Sequence, residues 1–357
     1  MTNQLHREDR AIFPPSPQPR GVSVIMTLLN EQRHLPEAIA AVQNQTWDGE
    51  LQIVLALGPS TDDTDQIAQG LADLDPRVVL VTNPSGRTPA GLNAALAAVH
   101  YPVVVRVDGH SVLPSDYIDR AVAALERTGA DNVGGVMAAA GVTDFERAAA
   151  VAMTSKLGVG AASFHVGGGE GPAESVYLGV FRRDTLTALG GYDDAFDRAQ
   201  DWEMNHRIRE LGGTVWFTPE LRVAYRPRAN VRALARQYFH YGKWRRELMR
   251  HHEGTASLRY LAAPAAVAAI VAGSAAGVLG MASPSLRFLR LGWLAPLGYS
   301  AAVVLGGTVV SRGEPTSVRL RVPLALAAMH CSWGVGFLTS PNDLRADRGE
   351  SHGDANR

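Results

Sequence analysis

The sequence predicts an α/β domain with a mainly parallel sheet, followed by a C-terminal helical transmembrane region. Between residues 21 and 107, four short β-rich runs alternate with three helical stretches, which is the pattern of βαβ units with helices on both faces of a sheet. After residue 258, three runs of about 20 residues contain no Asp, Glu, Lys or Arg. Each run is long enough to cross a bilayer core of about 30 Å.

Composition excludes several classes of protein. The chain has 357 residues, a formal net charge of −1, 46% hydrophobic residues and 19% charged residues. A chain so close to neutral is not a chain-wide electrostatic binder of nucleic acid, and a chain this apolar folds over most of its length. The single cysteine, Cys331, excludes an intramolecular disulfide framework and a cysteine-cluster zinc site.

The N-terminal part of the chain divides into a leader and the alternating region. Residues 1–20 carry four prolines and lack the apolar stretch of a secretory signal, which predicts a disordered leader and a domain that stays in the cytosol. Ligands on parallel sheets bind beyond the carboxyl ends of the strands, so the loops after the four runs are the predicted site. The β-rich runs are residues 22–28, 51–57, 78–81 and 103–107, and the helical stretches are 35–43, 64–73 and 89–98.

The C-terminal part is predicted to associate with a membrane. Residues 229–257 are expected to form amphipathic interfacial helices, because aromatic residues alternate there with Arg and Lys. Residues 258–341 are expected to form two or three transmembrane helices, the third run either spanning or re-entering; buried core helices are the alternative. Eight basic residues flanking one side of the spans against five on the other favour a cytoplasmic catalytic domain. The protein is expected to be a multi-pass protein of the plasma membrane. Residues 342–357 are expected to be a disordered tail.

An acidic group and an imidazole follow the fourth β-rich run. If the backbone stays extended as far as His110, the spacing of two residues places Asp108 and His110 on one face of the strand end. Together they can hold one divalent cation, which would neutralise a diphosphate and stabilise the charge on a leaving nucleotide. The alternative is an Asp that caps a turn beside an incidental His.

Four motifs resemble those of inverting family 2 glycosyltransferases, in that family's order and across residues 21–245. Asp108-Gly-His110 stands where the family has Asp-x-Asp, and together with two later segments it resembles the ExoA-type succinoglycan-assembly glucosyltransferases. The resemblance implies a GT-A (nucleotide-diphospho-sugar transferase) domain over residues 21–228 and a divalent cation, Mn²⁺ or Mg²⁺. The other three family motifs are Gly21-Val-Ser-Val-Ile-Met-Thr-Leu-Leu-Asn-Glu31, Ser60-Thr-Asp-Asp-Thr64, and Leu189-Gly-Gly-Tyr-Asp193 with Gln200-Asp-Trp-Glu203. The two later segments are Gln237-Tyr-Phe-His-Tyr-Gly-Lys-Trp244 and His330-Cys-Ser-Trp-Gly-Val-Gly-Phe337.

Polar side chains on the loops after the first strands are placed to meet the nucleotide. For Glu31 the alternative is helix capping, and for Arg87, which precedes a helix N-terminus, the alternatives are a phosphate contact and a solvated side chain. Where the family usually has a carboxylate before Gly-Ser, this chain has Leu57-Gly-Pro, and Asp62 or Asp63 can substitute from the next turn. The predicted donor-side residues are Thr27, Asn30, Glu31, Asp62, Arg87 and Asp108.

Asp201 is the predicted general base. Inverting transfer needs a carboxylate that takes the proton from the acceptor hydroxyl while that oxygen attacks the anomeric carbon. A helix N-cap is the alternative role for Asp201, a core position the alternative for Trp202, and turn formation the first expectation for Asp193. The residues expected on the acceptor side are Asp193, Trp202, Glu203, Gln237 and Trp244.

Taken together, these features predict a membrane-anchored inverting hexosyltransferase of the EC 2.4 class. Its donor would be a nucleotide-diphosphate sugar, and its acceptor a polyprenyl-linked or other lipid-linked glycan in cell-surface polysaccharide or glycolipid assembly. One alternative is a glycosyltransferase that acts directly on polyprenyl phosphate. The other is a non-catalytic membrane scaffold with a degenerate transferase domain, suggested by Leu57 and His110 at positions where the family has carboxylates.

Overall fold

The computed structural model of the protein describes residues 21–342 and 344, which divide into two compact units. The first unit consists of residues 21–138 and 167–225. The second consists of residues 139–166 together with the described residues from 226 onward. The expected leader, and the expected tail apart from Asn342 and Leu344, lie outside the described residues.

An eight-stranded mixed sheet forms the centre of the first unit, with the strand order β3-β2-β1-β4-β7-β5-β8-β6. The first four strands are mutually parallel, whereas β7 runs antiparallel to both β4 and β5. The four strands expected from the sequence agree with β1 to β4 to within one residue at each end. The strands are β1 Gly21–Leu28, β2 Glu50–Leu57, β3 Val78–Thr82, β4 Val103–Arg106, β5 Asn132–Ala139, β6 Gly171–Pro172, β7 Tyr177–Arg182 and β8 Val215–Tyr225.

Helices cover the sheet and form most of the second unit. On α1 the buried residues Leu35, Ala38, Ile39 and Val42 recur with helical spacing, which gives the helix one apolar face for the sheet. The helices are α1 Leu35–Gln43, α2 Thr64–Leu74, α3 Thr88–Ala97, α4 Tyr117–Thr128, α5 Asp144–Met153, α6 Lys156–Val159, α7 Ser163–Val166, α8 Arg183–Ala188, α9 Gln200–Glu210, α10 Val231–His251, α11 Leu258–Ala282, α12 Leu294–Val310, α13 Thr316–Arg319 and α14 Val322–Leu338, with a 3₁₀ segment over Pro284–Trp293.

The register of the parallel strands brings their carboxyl ends to one edge. Leu28 at the end of β1 lies opposite Leu57, and Leu57 lies opposite Thr82 of β3. On the other side of β1, Arg106 at the end of β4 lies opposite Ile25. The loops that leave these four strands are therefore neighbours, which is the arrangement expected for a ligand site on a parallel sheet.

Glycines join the helices of the second unit. A β-carbon built on Gly242 of α10 would lie 2.0 Å from the carbonyl oxygen of Trp333, and one built on Gly336 of α14 would lie 2.0 Å from the carbonyl oxygen of Phe239. Both distances are far inside van der Waals contact, so the two helix backbones touch at these positions. The expected interfacial helix thus packs one face against α14.

Two helical segments in the described chain, Leu258–Ala282 and Pro284–Val310, are long and apolar enough to cross a membrane. Only 11% of the apolar window of each segment is buried, which distinguishes them from the core helices of a soluble unit. The third uncharged run forms α14, which has 17 residues and buries Leu326, Met329 and Phe337 inside the second unit. It is shorter than the roughly 20 residues of a typical span.

Candidate active site

A network of polar contacts joins the loop after β1 to the loop after β2. Asn30 adopts a left-handed backbone conformation with φ of 57°, which asparagine tolerates better than most residues. Its side-chain oxygen accepts a hydrogen bond from the N–H of Thr61 at 2.8 Å, and its own N–H donates to the hydroxyl of Ser60 at 3.2 Å. The N–H of Glu31 donates to the hydroxyl of Thr64 at 2.7 Å. The two motifs therefore form one polar unit.

Asp62 holds this unit together through its carboxylate. It accepts hydrogen bonds from the hydroxyl of Thr64 at 2.5 Å, from the N–H of Thr64 at 3.1 Å and from the N–H of Gln32 at 3.2 Å. Burial alone would raise the pKa of Asp62, but these hydrogen bonds outweigh it and lower the pKa below its ordinary value. The side chain is an anion at neutral pH, and its expected contact with the nucleotide remains a prediction.

Helix α3 lies directly against the strand ends. A β-carbon on Gly91 would be 2.7 Å from the methyl carbon of Thr27 and 2.6 Å from the side-chain nitrogen of Asn83. Glycine at this position therefore lets the first turns of α3 approach Thr27. The helix N-terminus, a favourable place for phosphate, is thereby held at the edge where the strands end.

Arg87 precedes α3 and already has partners. Its Nε lies 2.5 Å from Oδ1 of Asp197, and its Nη2 donates to the carbonyl oxygen of Asp194. The alternative of a solvated side chain is therefore wrong, because the guanidinium ties α3 to residues 194–197. Its expected contact with phosphate remains a prediction.

The turn after β4 differs from the expected extended backbone. The strand ends at Arg106, and the N–H of Ser111 donates to the carbonyl oxygen of Asp108 at 2.9 Å, which closes a turn. The expectation that Asp108 and His110 share one face of a strand is therefore wrong. Oδ1 of Asp108 accepts from Nη2 of Arg106 at 3.0 Å, whereas Nδ1 of His110 lies 3.0 Å from Oε1 of Glu31. The side chain of Glu31 contacts this imidazole and does not cap a helix.

The donor chemistry of these residues fits a divalent cation. The side chains of Asp108 and His110 are 26% and 51% exposed, so both are accessible from solvent. A carboxylate oxygen and an imidazole nitrogen are both accepted by Mn²⁺, and Mg²⁺ prefers the oxygen. The assignment of these two residues to a metal remains a prediction.

Arg106 connects Asp108 to the expected general base. Its Nη1 donates to Oδ1 of Asp201, while its Nη2 bonds Asp108, and the arginine side chain is only 5% exposed. Burial would lower the pKa of Arg106, but the negative charge of Asp108 and the surrounding groups raise it overall, so the guanidinium stays charged. One buried cation thus lies between two carboxylates.

Asp201 is the second residue of α9, which begins at Gln200. Ala199 is the N-cap and adopts a left-handed conformation with φ of 63°. The N-cap alternative for Asp201 is therefore wrong. A left-handed alanine is strained by about 1 kcal/mol or more, and such strain is found most often beside functional groups.

Two tyrosines, the buried Tyr192 and the partly buried Tyr177, lie beside the same cluster. Burial first, and the charge of Asp108 after it, raise the pKa of Tyr192 to about 12, although Arg106 opposes this. Burial and Asp108 also raise the pKa of Tyr177. Both phenols are therefore neutral near pH 7.

Glu203 stabilises the turn at Gly190-Gly191 indirectly, by binding Arg207. It is 1% exposed and forms a two-pronged ion pair with Arg207, with Nε–Oε1 at 2.5 Å and Nη2–Oε2 at 2.7 Å. Arg207 also donates to the carbonyl oxygens of Leu189 at 2.8 Å and Gly191 at 2.9 Å. In this arrangement Glu203 fixes the turn through Arg207, and its expected contact with an acceptor remains a prediction.

Asn93 of α3 holds the other side of that turn. Its side-chain nitrogen donates to the carbonyl oxygen of Tyr192 at 2.8 Å, and its side-chain oxygen accepts from the N–H of Tyr192 at 2.7 Å. The carboxylate of Asp193 accepts from the N–H of Ala195 at 2.7 Å, which agrees with the expected role in shaping the turn. An acceptor contact of Asp193 remains a prediction.

The remaining acceptor-side residues lie on two helices. Trp202 is half-buried on α9. Gln237 and Trp244 belong to α10 of the second unit and are both buried; the side-chain nitrogen of Gln237 donates to the hydroxyl of Tyr241 at 2.9 Å. The acceptor roles of these three residues remain predictions.

Three residues with central contacts did not emerge from the sequence. Arg106 carried a usable signal, because a charged residue inside the apolar run Val103-Val-Val-Arg-Val107 must find partners when the strand is buried. Asn93 and Arg207 carried none, since each lies on a helix where a polar residue is ordinary.

Comparison with known proteins agrees with this geometry. The model of the family described as "Glycosyl transferase family 2" matches residues 23–189. The succinoglycan biosynthesis protein ExoA of Rhizobium meliloti (strain 1021) is 32% identical over 327 residues, which cover 90% of this chain and 95% of that protein.

Solved structures also resemble the chain. The mannosyltransferase PcManGT from Pyrobaculum calidifontis, in complex with GDP-Man and Mn²⁺, matches with a TM-score of 0.57 and 19% identity over 93% of this chain and 91% of its own. TarS 1–349 of S. aureus matches with a TM-score of 0.46 and 13% identity over 89% of this chain and 90% of its own. The likeness to PcManGT and the family match confirm the expected GT-A fold.

Proposed function

The chain belongs to glycosyltransferase family 2, and from that premise we propose that it is a membrane-anchored inverting enzyme acting on a lipid-linked glycan. Family membership makes it a glycosyltransferase. Because it is similar along nearly its whole length to a protein of succinoglycan biosynthesis, we assign it to the assembly of a cell-surface polysaccharide. The donor is a nucleotide-diphosphate sugar.

The cluster of Asp108, Arg106 and Asp201 is the observation that carries this proposal. It lies where the parallel strands of the sheet end, and one buried guanidinium contacts both carboxylates. We assign Asp108 to the cation and Asp201 to the acceptor. Asp201 takes the proton from the acceptor hydroxyl as that oxygen bonds to the anomeric carbon. The bond from that carbon to the nucleotide diphosphate breaks on the opposite face, which inverts the configuration.

The donor side is assigned to the joined loops after β1 and β2 and to the start of α3. Thr27 and Asn30 line the end of β1, and the N–H groups at the start of α3 favour an anion such as diphosphate. The solved relative PcManGT holds GDP-Man, which supports a nucleotide sugar as the class of donor here. Preorganised hydrogen bonds in this region would hold the donor with its anomeric carbon toward the acceptor.

Asp108 and His110 are the residues that would hold Mn²⁺ or Mg²⁺. The cation would supply positive charge to the leaving diphosphate. PcManGT was solved with Mn²⁺, which supports this class of cofactor. We expect excess chelator to stop turnover, Mn²⁺ to restore it at least as well as Mg²⁺, and Asp108→Ala to remain inactive, whereas His110→Asp should retain activity. Undiminished turnover in excess chelator would contradict the metal requirement.

The membrane part of the proposal rests on the two apolar helical segments of the second unit. Their exposed large side chains, such as Leu279, Leu294 and Leu305, would be costly in water over so long a surface. We place the protein in the plasma membrane as a multi-pass protein with the catalytic unit in the cytoplasm. An anchored enzyme stays close to a lipid-linked acceptor.

The deciding experiment incubates membranes that contain the full-length protein with a panel of labelled nucleotide sugars and follows the label into the lipid fraction. The full chain is needed because α10 packs on α14, and removing α14 would uncover that face of α10. Label in an elongated lipid-linked glycan, absent with Asp108→Ala, is the expected result. A sugar-phosphate-lipid product would indicate transfer to polyprenyl phosphate instead. No consumption of any donor would indicate a scaffold.

A further inference from the structure

We propose that Arg106 is a positioning residue that couples the cation site to the general base. This inference rests on the proposed function, because it concerns the roles of Asp108 and Asp201. Arg106 contacts neither sugar nor nucleotide in the proposal, and acts only through these two carboxylates.

The first argument is geometric. Arg106 and Asp201 are 95 residues apart in sequence, and their contact fixes the start of α9 to the end of β4. A guanidinium is a planar fork whose N–H groups point in fixed directions. With Nη2 held by Asp108 at 3.0 Å, the direction of Nη1 sets where Oδ1 of Asp201 lies. Lysine has one charged nitrogen on a flexible stem and cannot impose the same direction.

The second argument concerns burial. The Arg106 side chain is 5% exposed, and its Nε is a buried donor without a hydrogen-bond partner among the described residues. A buried donor left unpaired destabilises the fold, because it has lost its hydrogen bond to water without replacement. An arginine that served only to stabilise the fold would be expected to satisfy this N–H. Instead, the side chain forgoes it while both terminal nitrogens contact the carboxylates of the site.

The electrostatic consequence is that Arg106 has two opposite effects. Its positive charge lies 3.0 Å from an oxygen of Asp108 and therefore opposes the binding of a cation to that carboxylate. The fork of the same side chain orients Asp201 for proton removal. Binding of the cation and readiness of the base are thus coupled through one side chain.

Two substitutions separate the charge from the fork. Arg106→Gln removes the charge, so Mn²⁺ should bind about fivefold tighter or more, the lower end of typical coupling between sites. Its kcat should fall at least about tenfold, because small misplacement of a catalytic group is costly. Arg106→Lys keeps the charge and loses the fork, so its Mn²⁺ affinity should stay within about twofold of wild type while kcat falls similarly.

Mn²⁺ binding is measured in the absence of donor, from the electron paramagnetic resonance signal of the free ion. The kcat and the KM for the acceptor are measured separately, at saturating Mn²⁺. Thermal unfolding checks each fold, and Arg120→Gln, an exposed arginine of the same unit, should change neither quantity. If Arg106→Gln does not fold, the test depends on Arg106→Lys alone. A kcat of Arg106→Lys equal to that of the wild type overturns the proposal. A folded Arg106→Gln with unchanged Mn²⁺ affinity also overturns it. Absence of turnover in wild type itself would count against the proposed function instead.

Discussion

At the strand ends of the first unit, side chains from distant parts of the chain meet through charges, whereas in the second unit helices meet where side chains are missing. Arg106 bonds Asp108 and Asp201 at one place, and Gly242 and Gly336 let α10 and α14 touch at the other. A polar contact orients a group, while a glycine contact sets the distance between backbones. Substitutions in the first unit's site should therefore alter rates, and substitutions at the glycines should alter stability.

The largest expected effect sharpens this contrast. Asp201→Asn preserves the shape of the side chain and removes the base, so kcat should fall by roughly 10²- to 10⁴-fold, the usual contribution of general-base catalysis. Donor affinity should be unchanged. Steady-state turnover and donor binding are measured together, with the exposed Asp184→Asn as the control. A folded variant with near-normal kcat would transfer the role to another carboxylate, with Asp193 more accessible than the buried Glu203.

Gly336→Ala tests the second unit. The new β-carbon would lie 2.0 Å from the carbonyl oxygen of Phe239, so α10 must move away from α14. Overpacking of this kind costs about 1–3 kcal/mol or more, which should lower the melting temperature in detergent without changing donor affinity. Gly298→Ala, on α12 with nothing within 4 Å of the added carbon, should be neutral or slightly stabilising. Equal melting temperatures for the two variants would refute the close contact.

Gly91→Ala tests an exception to the contrast between the units, because Gly91 lies in the first unit and its missing side chain shapes the proposed donor region. Its β-carbon would clash with Thr27 and Asn83, so the start of α3 must shift. We expect donor affinity to weaken about tenfold, equivalent to about 1.4 kcal/mol. Gly70→Ala on α2, with open space around it, should leave donor affinity unchanged. Unchanged donor affinity in Gly91→Ala would remove Thr27 and the start of α3 from the donor site.

The smallest expected effect is a polar contact of the first unit that should act on stability alone. Hydrogen bonds from Arg77, aided by Gln43, lower the pKa of Asp75 to about 2. Because this lies below the unfolded value of about 3.9, the contact stabilises the fold above about pH 4 and is lost as pH falls toward 2. The free energy of unfolding of the wild type should exceed that of Asp75→Asn by less than about 1 kcal/mol at pH 7, and this difference should disappear as the pH is lowered. A gap that is independent of pH would contradict this, and turnover at pH 7 should be equal.

How far the site could be predicted differs from residue to residue. Asn30 and Asp62 belong to short motifs whose contacts are mostly between neighbouring loops, so their region was identifiable from the sequence alone. The partners of Asp108 and His110 were not identifiable, because they depend on a turn closed by Ser111 and on the side chains of Arg106 and Glu31. The prediction for α10 was also incomplete, because its amphipathic pattern does not reveal whether the apolar face contacts lipid or another helix.

The sequence by itself determined the first four strands and the helices between them, the order of the motifs and the apolar runs, because each of these follows from periodicity and residue type within a short window. Only the tertiary structure decided that Arg106 lies between Asp108 and Asp201, that Glu203 is buried under a turn held by Arg207, and that α10 packs on α14. The reason is physical. A side chain pairs with whichever groups the folded backbone brings within about 3 Å of it. For Arg106 one of these groups, Asp201, comes from 95 residues further along the chain.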